Sequence, residues 1–186
     1  LHLLSRRQRQ MCIRDSYSAV LRAGNLKLRS GEAQAADEFS RTEGGFSRFN
    51  FDVNHVSKLS KVTQFYVFAH GQLANRNLDS SEQFYLGGAD AVRAYPQGEA
   101  GGDSGYQATA ELRYQTPVKG MSMTLFADVG EVLARKDGDT SDPHRRLAGW
   151  GIGAVYSLDR SLYARLDYAR TVSYTHLRAH ETRRHL

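Results

Sequence analysis

Carboxylates and serines are the first candidates for chemistry in this sequence, since such side chains act as acids, bases and nucleophiles in enzymes. Asp52, Glu111 and Asp167 each stand on the polar side of a segment in which polar and apolar residues alternate. This spacing is typical of charges that line a wet surface, and it assembles no acid–base pair. Ser104, Ser122 and Ser161 lack the G-x-S-x-G context of a serine hydrolase. We therefore predict no catalytic residue and no enzymatic activity.

The spacing of the histidines, aspartates and glycines fits no complete metal-binding or cofactor-binding motif either. His55 and His70 fall on different predicted strands with no third ligand evident. Segment 137–142 spaces its aspartates like half a calcium loop, but it lacks the required glycine and the bidentate glutamate. The alternating glycines of 149–153 imitate a dinucleotide fingerprint without a following helix, and strand glycines usually mark close backbone approach. We predict neither metal nor cofactor.

The elements that must position the polar residues are strands. Segment 106–115 (YQATAELRYQ) places tyrosine, alanine and leucine on one face and polar residues on the other. Strict alternation over such a length predicts a strand with one apolar face, long enough to cross a bilayer core when tilted. The first strand is less regular, with a phase slip near residues 24–25. The seven predicted strands are 17–29, 46–55, 62–73, 106–115, 121–130, 148–157 and 161–169.

The connections between these strands alternate in length. Long connections fall at about 30–45, 76–105 and 135–146, and short ones at 58–60, 117–120 and 159–160. Long loops at one end of the strands and short turns at the other are typical of outer-membrane barrels. A soluble sandwich can alternate as well, but it would bury an apolar face and use shorter strands.

The predicted fold class is therefore all-β, an antiparallel up-and-down transmembrane β-barrel. Its polar face would line a wet lumen, and tyrosines at strand ends fit the aromatic girdles of such barrels. The mean hydropathy of −0.55 excludes a bundle of membrane-spanning helices. Bacterial single-chain barrels have an even number of strands, eight or more, so seven strands predict a partial barrel. Open sheet edges also predict aggregation of this segment in isolation.

The net charge of +5 lies at the two ends of the chain. Residues 1–16 and 172–186 carry the whole basic excess, the single Cys and four of the seven His, and neither segment continues the alternation. We interpret both as non-native tags that resemble sequencing-adapter read-through; the rival interpretation is a pair of native basic arms. Residues 17–171 are electrically neutral, so we predict no nucleic-acid partner.

The glycine-rich segment 84–106 (FYLGGADAVRAYPQGEAGGDSGY) fills the longest connection, the predicted lumen loop 76–105. It resembles the signature loop of two-partner secretion transporters, the haemolysin secretion/activation (ShlB/FhaC/HecB) family, with its pattern F-x-L-G-G-x-x-x-V-R-G-Y-x-x-G-E-x-x-G-D-x-G. Ala94 departs from the usual glycine of V-R-G-Y, where glycine would permit a positive φ. The residues on which the family's loop role is carried over are Gly87, Gly88, Val92, Arg93, Tyr95, Gly98 and Glu99.

A second match is the F-x-D-x-G motif of the same superfamily, formed by Phe126, Asp128 and Gly130. The alternation independently turns Phe126 and Asp128 toward the lumen. The resemblance implies that the loop folds into the barrel and that Arg93 pairs with Asp128. It also implies that these are later strands of a barrel of about sixteen. The earlier strands, the periplasmic POTRA domains and the last strand would then belong to the same chain but lie outside this sequence, and the present strands would contact them as partners.

The resemblance implies an outer-membrane translocator of a Gram-negative bacterium that exports a large partner protein of haemolysin or adhesin type. Its partners would be that secreted protein and outer-membrane lipid. Two alternatives stay open: a barrel of the same superfamily that inserts other proteins into the outer membrane, and a passive porin. Two roles stay open for the Arg93–Asp128 pair. It would either gate or support transport, or it would be a static contact that only stabilises the barrel.

Overall fold

The computed structural model describes residues 13–134, 144–158 and 162–172. Several features predicted from the sequence lie outside these ranges. They are the calcium-like segment 137–142, Ser161, the short connection 159–160, and the terminal segments except for 13–16 and Val172. The boundaries proposed for the terminal segments therefore stay predictions.

In the described residues, seven long strands form one antiparallel sheet in chain order, and a small hairpin between the third and the fourth of them lies outside the sheet. The long strands are β1 (Ile13–Leu26), β2 (Gly44–Lys58), β3 (Thr63–Ala74), β6 (Ser104–Gln115), β7 (Met121–Leu133), β8 (His144–Leu158) and β9 (Leu162–Thr171). The hairpin consists of β4 (Phe84–Leu86) and β5 (Ala100–Gly102). The all-β class and the up-and-down topology predicted from the alternation are thus confirmed.

The strands extend beyond most of their predicted bounds at the end of the sheet that carries the long connections. β7 continues to Leu133 and β8 begins at His144, because charged residues such as Glu131 and Arg146 still pair across the ladder. β1 differs: it extends at the opposite end, where Ile13 pairs with Ser57 of β2, and it ends at Leu26, three residues before its predicted bound. The apolar repeat identifies only the stretch in which one face is apolar, so it ends before the hydrogen-bonded ladder does.

The first long connection contains a helix that the alternation did not predict, α1 (Gly31–Ser40). Ser30 caps its N-terminus by accepting a hydrogen bond from the N–H of Ala33 at 3.2 Å. Arg41 ends it in the left-handed region, with φ 52°. A capping serine before an alanine-rich segment is a helix signal. No helix of the described residues is long and apolar enough to cross a membrane.

The two faces of the sheet differ in exposure. One face exposes large apolar side chains such as Leu125, Trp150 and Leu166. The other carries the polar series and is covered by the loop between β3 and β6, so the buried residues concentrate between that loop and the sheet. A sheet with an exposed apolar face and a polar inner face has the opposite polarity to a water-soluble sandwich.

Candidate functional site

The site is built by the loop of residues 75–103, which folds back onto the polar face of the sheet. Asp103 anchors its base: the fully buried carboxylate accepts hydrogen bonds from the N–H of Leu78 at 2.9 Å and from Gln83 Nε2 at 3.2 Å. Gln72 of β3 ties the same base to the sheet by donating to the carbonyl oxygens of Glu82 and Asp103. The base is therefore fixed by a satisfied polar network.

A small apolar core joins the loop to the sheet next to this base. Val92 and Leu86 are completely buried, and Tyr95 packs against the core from the side. Burial of one such aliphatic side chain contributes roughly 1.5–3 kcal/mol. The members of the core come from the loop, the small hairpin, β7 and β8: Phe84, Leu86, Val92, Ala100, Val132 and Leu147.

Arg93 follows Val92 in the loop, and its side chain reaches Asp128 on β7 of the sheet, which forms the wall of the site. Its Nε and Nη2 donate to the two carboxylate oxygens at 2.9 Å and 2.7 Å, and its backbone N–H donates to Oδ2 at 3.1 Å. Thr109, directly opposite Asp128 on β6, donates its hydroxyl to Oδ1 at 2.9 Å. The side chains of Arg93 and Asp128 are 5% and 1% exposed. Removing one partner of a pair buried to this degree costs much more than breaking an exposed ion pair, because the other charge stays buried without a counter-charge.

Phe126 forms the floor beneath Arg93. The guanidinium carbon lies 3.4 Å from the centroid of the Phe126 ring, which gives a cation–π contact in a desolvated place. Asp128 and Phe126 stand two residues apart on β7, so their side chains emerge on the same face of the sheet. The F-x-D spacing thus supplies both a counter-charge and an aromatic surface for one arginine.

Glu111 is the site residue whose role the sequence did not reveal. The alternation predicts only that Glu111 is a charge facing the lumen, yet its Oε1 accepts a hydrogen bond from Arg93 Nη1 at 2.8 Å. Its Oε2 accepts from Arg113 at 2.7 Å, and Arg113 lies over the ring of Tyr66. The cluster therefore contains two arginines and two carboxylates and has no net charge. These counter-charges offset the desolvation cost of burying Arg93. The sequence does indicate that Glu111 lies on the same face of β6 as Thr109 and Arg113, since these residues are two positions apart.

The tip of the loop lies close against β8. A Cβ atom placed on Gly149 would stand 2.5 Å from the methyl carbon of Ala94, and one placed on Gly151 would stand 2.5 Å from the Phe126 ring. Among the described residues only Arg41 has a positive φ without being glycine, so Ala94 adopts no conformation that requires glycine. The glycine repeat of 149–153 is thus a place of close approach, as interpreted from the sequence.

The remaining motif residues divide between turns and surface. Gly87, Gly88 and Gly98 all have positive φ, and a Cβ on Gly87 would collide with the carbonyl oxygen of Pro96. Gly130 lies beneath the side chain of Leu86. Glu99 is not part of the Arg93 cluster, since its carboxylate faces Arg145 of β8 at 3.6 Å with both side chains substantially exposed.

Histidines lie outside this cluster. His70 pairs with Asp52 at 2.5 Å and stacks on Phe84 of the loop, and His55 pairs with Asp15 at 2.6 Å. Within 13–134, 144–158 and 162–172 no group of three or more His, Cys, Asp or Glu side chains could hold a metal ion. The contacts of Arg93 with Asp128 and Glu111 hold the loop against the sheet, and we call this arrangement the clamp.

An up-and-down sheet with an exposed apolar face, and with a loop clamped onto its polar face, defines part of a transmembrane β-barrel with an internal loop. The profile of the family "Haemolysin secretion/activation protein ShlB/FhaC/HecB" matches residues 4–156, and the chain belongs to this family. The resemblance found in the loop and in the F-x-D-x-G motif is thereby confirmed. The protein is accordingly located in the outer membrane of a Gram-negative bacterium.

Individual relatives agree with this assignment. The chain is 32% identical over 111 residues to the "Heme/hemopexin transporter protein HuxB" of Haemophilus influenzae, a match that covers 58% of this chain and 20% of the relative. Among solved structures it is similar to CdiB from Acinetobacter baumannii, with a TM-score of 0.50, 20% identity, and coverage of 69% of this chain and 30% of that one. The chain thus matches about a fifth of the length of its curated relatives.

Proposed function

We propose that this chain is the C-terminal part of the barrel of an outer-membrane translocator, which exports a large partner protein of haemolysin or adhesin type through its lumen. Family membership supports the proposal, and the observation that carries it is the loop clamped to the polar face by Arg93. In this proposal the exposed apolar face contacts lipid, and POTRA domains and further strands complete the protein.

The clamp gives the loop a defined position in the lumen. Removing one partner of a buried ion pair costs roughly 3–5 kcal/mol, because the other charge stays buried without a counter-charge. A polypeptide that enters the lumen can displace the tip only by replacing these contacts with its own. The proposed role of Arg93, Asp128 and Phe126 is to hold the tip in place until such replacement occurs.

The test uses the full-length parent protein and exchanges the charges of the buried pair. Arg93→Asp and Asp128→Arg should each strongly lower the amount of secreted partner in the medium. The double exchange should restore part of the secretion, because the two charges at positions 93 and 128 are again opposite. The rescue should stay incomplete, because Glu111 then faces a carboxylate at position 93. Secretion is measured by immunoblot, and barrel assembly by heat-modifiable migration of the protein extracted from outer membranes.

The exposed pair between Glu99 and Arg145 provides the matched control, since it also joins this loop to the wall. The exchange Glu99→Arg with Arg145→Glu should leave secretion close to the wild-type level, because exposed pairs contribute about 0–1 kcal/mol. Normal secretion by both buried-pair single variants, with assembled barrels, would contradict the role of the clamp. Depletion of other outer-membrane proteins would instead favour an insertion function.

A further inference from the structure

The outward face carries a row of residues that crosses five neighbouring strands near the end with the long connections. The pairing registers place Phe51, Gly71, Tyr106, Glu131 and Arg146 side by side on β2, β3, β6, β7 and β8. This row lies on the face opposite to the Arg93 cluster, since Asp128 and Glu131 differ by an odd number of positions on β7. It is therefore independent of the site described above.

A groove of about 330 Å³ opens in this outward face, lined by Phe51, Leu73, Tyr106 and Leu133 over a floor at Ser104. The floor is low because the small side chain of Ser104 on β6 stands opposite the larger Leu133 of β7. Ser104 uses its hydroxyl oxygen to accept a hydrogen bond from the N–H of Ala74 at 3.0 Å. Leu73 on β3 and Leu133 on β7 lie two strand spacings apart, about 9.5 Å between backbones, which leaves width for one alkyl chain between these two side chains.

A polar cluster borders the groove around Glu131. Its carboxylate pairs with His144 Nδ1 at 2.8 Å and with Arg146 Nε at 3.0 Å, and it accepts a long hydrogen bond from the hydroxyl of Tyr106 at 3.5 Å. The Glu131 side chain is only 16% exposed, whereas Arg146 is 64% and His144 54% exposed. The negative charge is thus covered, and the groups turned outward are the basic ones.

We propose that this groove binds one acyl chain of a phosphorylated glycolipid of the outer leaflet, the lipid A part of lipopolysaccharide, with a phosphate against Arg146 and His144. Long connections of such barrels face outward, so the groove lies at the depth of outer-leaflet headgroups and upper acyl chains. Guanidinium groups bind phosphate through charge-assisted hydrogen bonds, and Glu131 orients the guanidinium of Arg146 in advance. The proposal does not depend on what crosses the lumen.

The experiment measures binding of purified bisphosphorylated lipid A to the full-length protein in detergent by native mass spectrometry. Arg146→Gln removes the phosphate contact, and Leu133→Trp fills the groove without changing charge. Each variant should weaken binding about tenfold, which corresponds to loss of one good charge-assisted contact or of the chain site. Arg170→Gln is the matched control, an exposed arginine on the same face of β9, and should bind like wild type.

Three results would overturn the proposal. Equal binding by wild type, Arg146→Gln and Leu133→Trp would place the lipid elsewhere. An equal loss in Arg170→Gln would mean that the phosphate is attracted nonspecifically to exposed arginines on this face. Equal affinity for dephosphorylated lipid A would remove the phosphate from the site. Heat-modifiable migration of every variant confirms that the barrel is folded, and unchanged secretion separates this site from the translocation role.

Discussion

Single side chains explain why the loop stays on the wall. Phe126, Asp128 and Glu111 could be placed on one face from alternation alone, because a strand side chain's direction has a period of two. The contact between Glu111 and Arg93 could not be predicted this way. It depends on the register that sets Glu111 opposite Phe126, and the sequence of β6 does not contain that register. The role of Arg93 itself came from the family resemblance.

The fit between Ala94 and Gly149 leads to a prediction at the same scale. Gly149→Ala would place two methyl carbons 2.5 Å apart, so the loop tip must shift. We expect the variant barrel to lose about 1–3 kcal/mol of unfolding free energy through overpacking. Adding Ala94→Gly should restore part of this loss, since it removes the opposing methyl group. Unfolding in urea, followed by tryptophan fluorescence in detergent micelles, measures the difference.

Rescue would be incomplete, because the carbonyl oxygen of Arg170 also lies 3.1 Å from the added carbon. Gly98→Ala is the comparison at a glycine with open surroundings, where only the positive φ is unfavourable. A double variant no more stable than Gly149→Ala alone would mean that Ala94 is not the group that limits position 149.

Strands with one apolar face could be predicted from the sequence, whereas elements with polar residues on all sides could not. β6 and β7 follow the alternation closely, but α1 has no buried residue and no apolar stripe. The segments β4 and β5 contain only three residues each, which is too short for a periodicity to appear, and two of the three residues of β5 are glycine. Such elements form because the loop must satisfy its backbone groups while it is covered.

The end of α1 gives a prediction about pH. Asp37 accepts hydrogen bonds from the hydroxyl and the N–H of Thr42, both at 2.6 Å, and these hold its pKa well below the usual range of a carboxyl group. Because the pKa falls on folding, the stabilisation is present above the ordinary carboxyl pKa and is lost as the pH drops toward the folded-state value. Hydrogen-exchange protection at the amides of Thr42 and Glu43 should therefore persist from pH 7 to about pH 5 and decrease in stronger acid.

Asp37→Asn should lower this protection already at neutral pH, because the amide offers a weaker acceptor and keeps no charge. Glu38→Gln is the matched control, the neighbouring exposed carboxylate on the same helix, and should exchange like wild type. Protection that is the same in Asp37→Asn and in wild type would contradict the proposed cap.

At the scale of the whole molecule, the described strands leave β1 and β9 each with one neighbour in the sheet. Unpaired backbone groups along a strand edge recruit further strands. We expect residues 13–172, produced alone and refolded in detergent, to form mixed oligomers, whereas the full-length parent should form a single species. Size-exclusion chromatography with light scattering distinguishes the two, and a monodisperse monomer of the segment would contradict the expectation.

The separate attachments of the loop have a mechanical consequence. Its base is tied to β2 and β3, where Arg48 pairs with Glu82 and Gln72 donates to Asp103, while its tip is tied to β6, β7 and β8 through Arg93 and Ala94. Breaking the Arg93 contacts leaves the other set intact. We therefore expect a load applied at the tip to displace the tip, together with adjoining core residues such as Val92, while the base stays attached to the sheet.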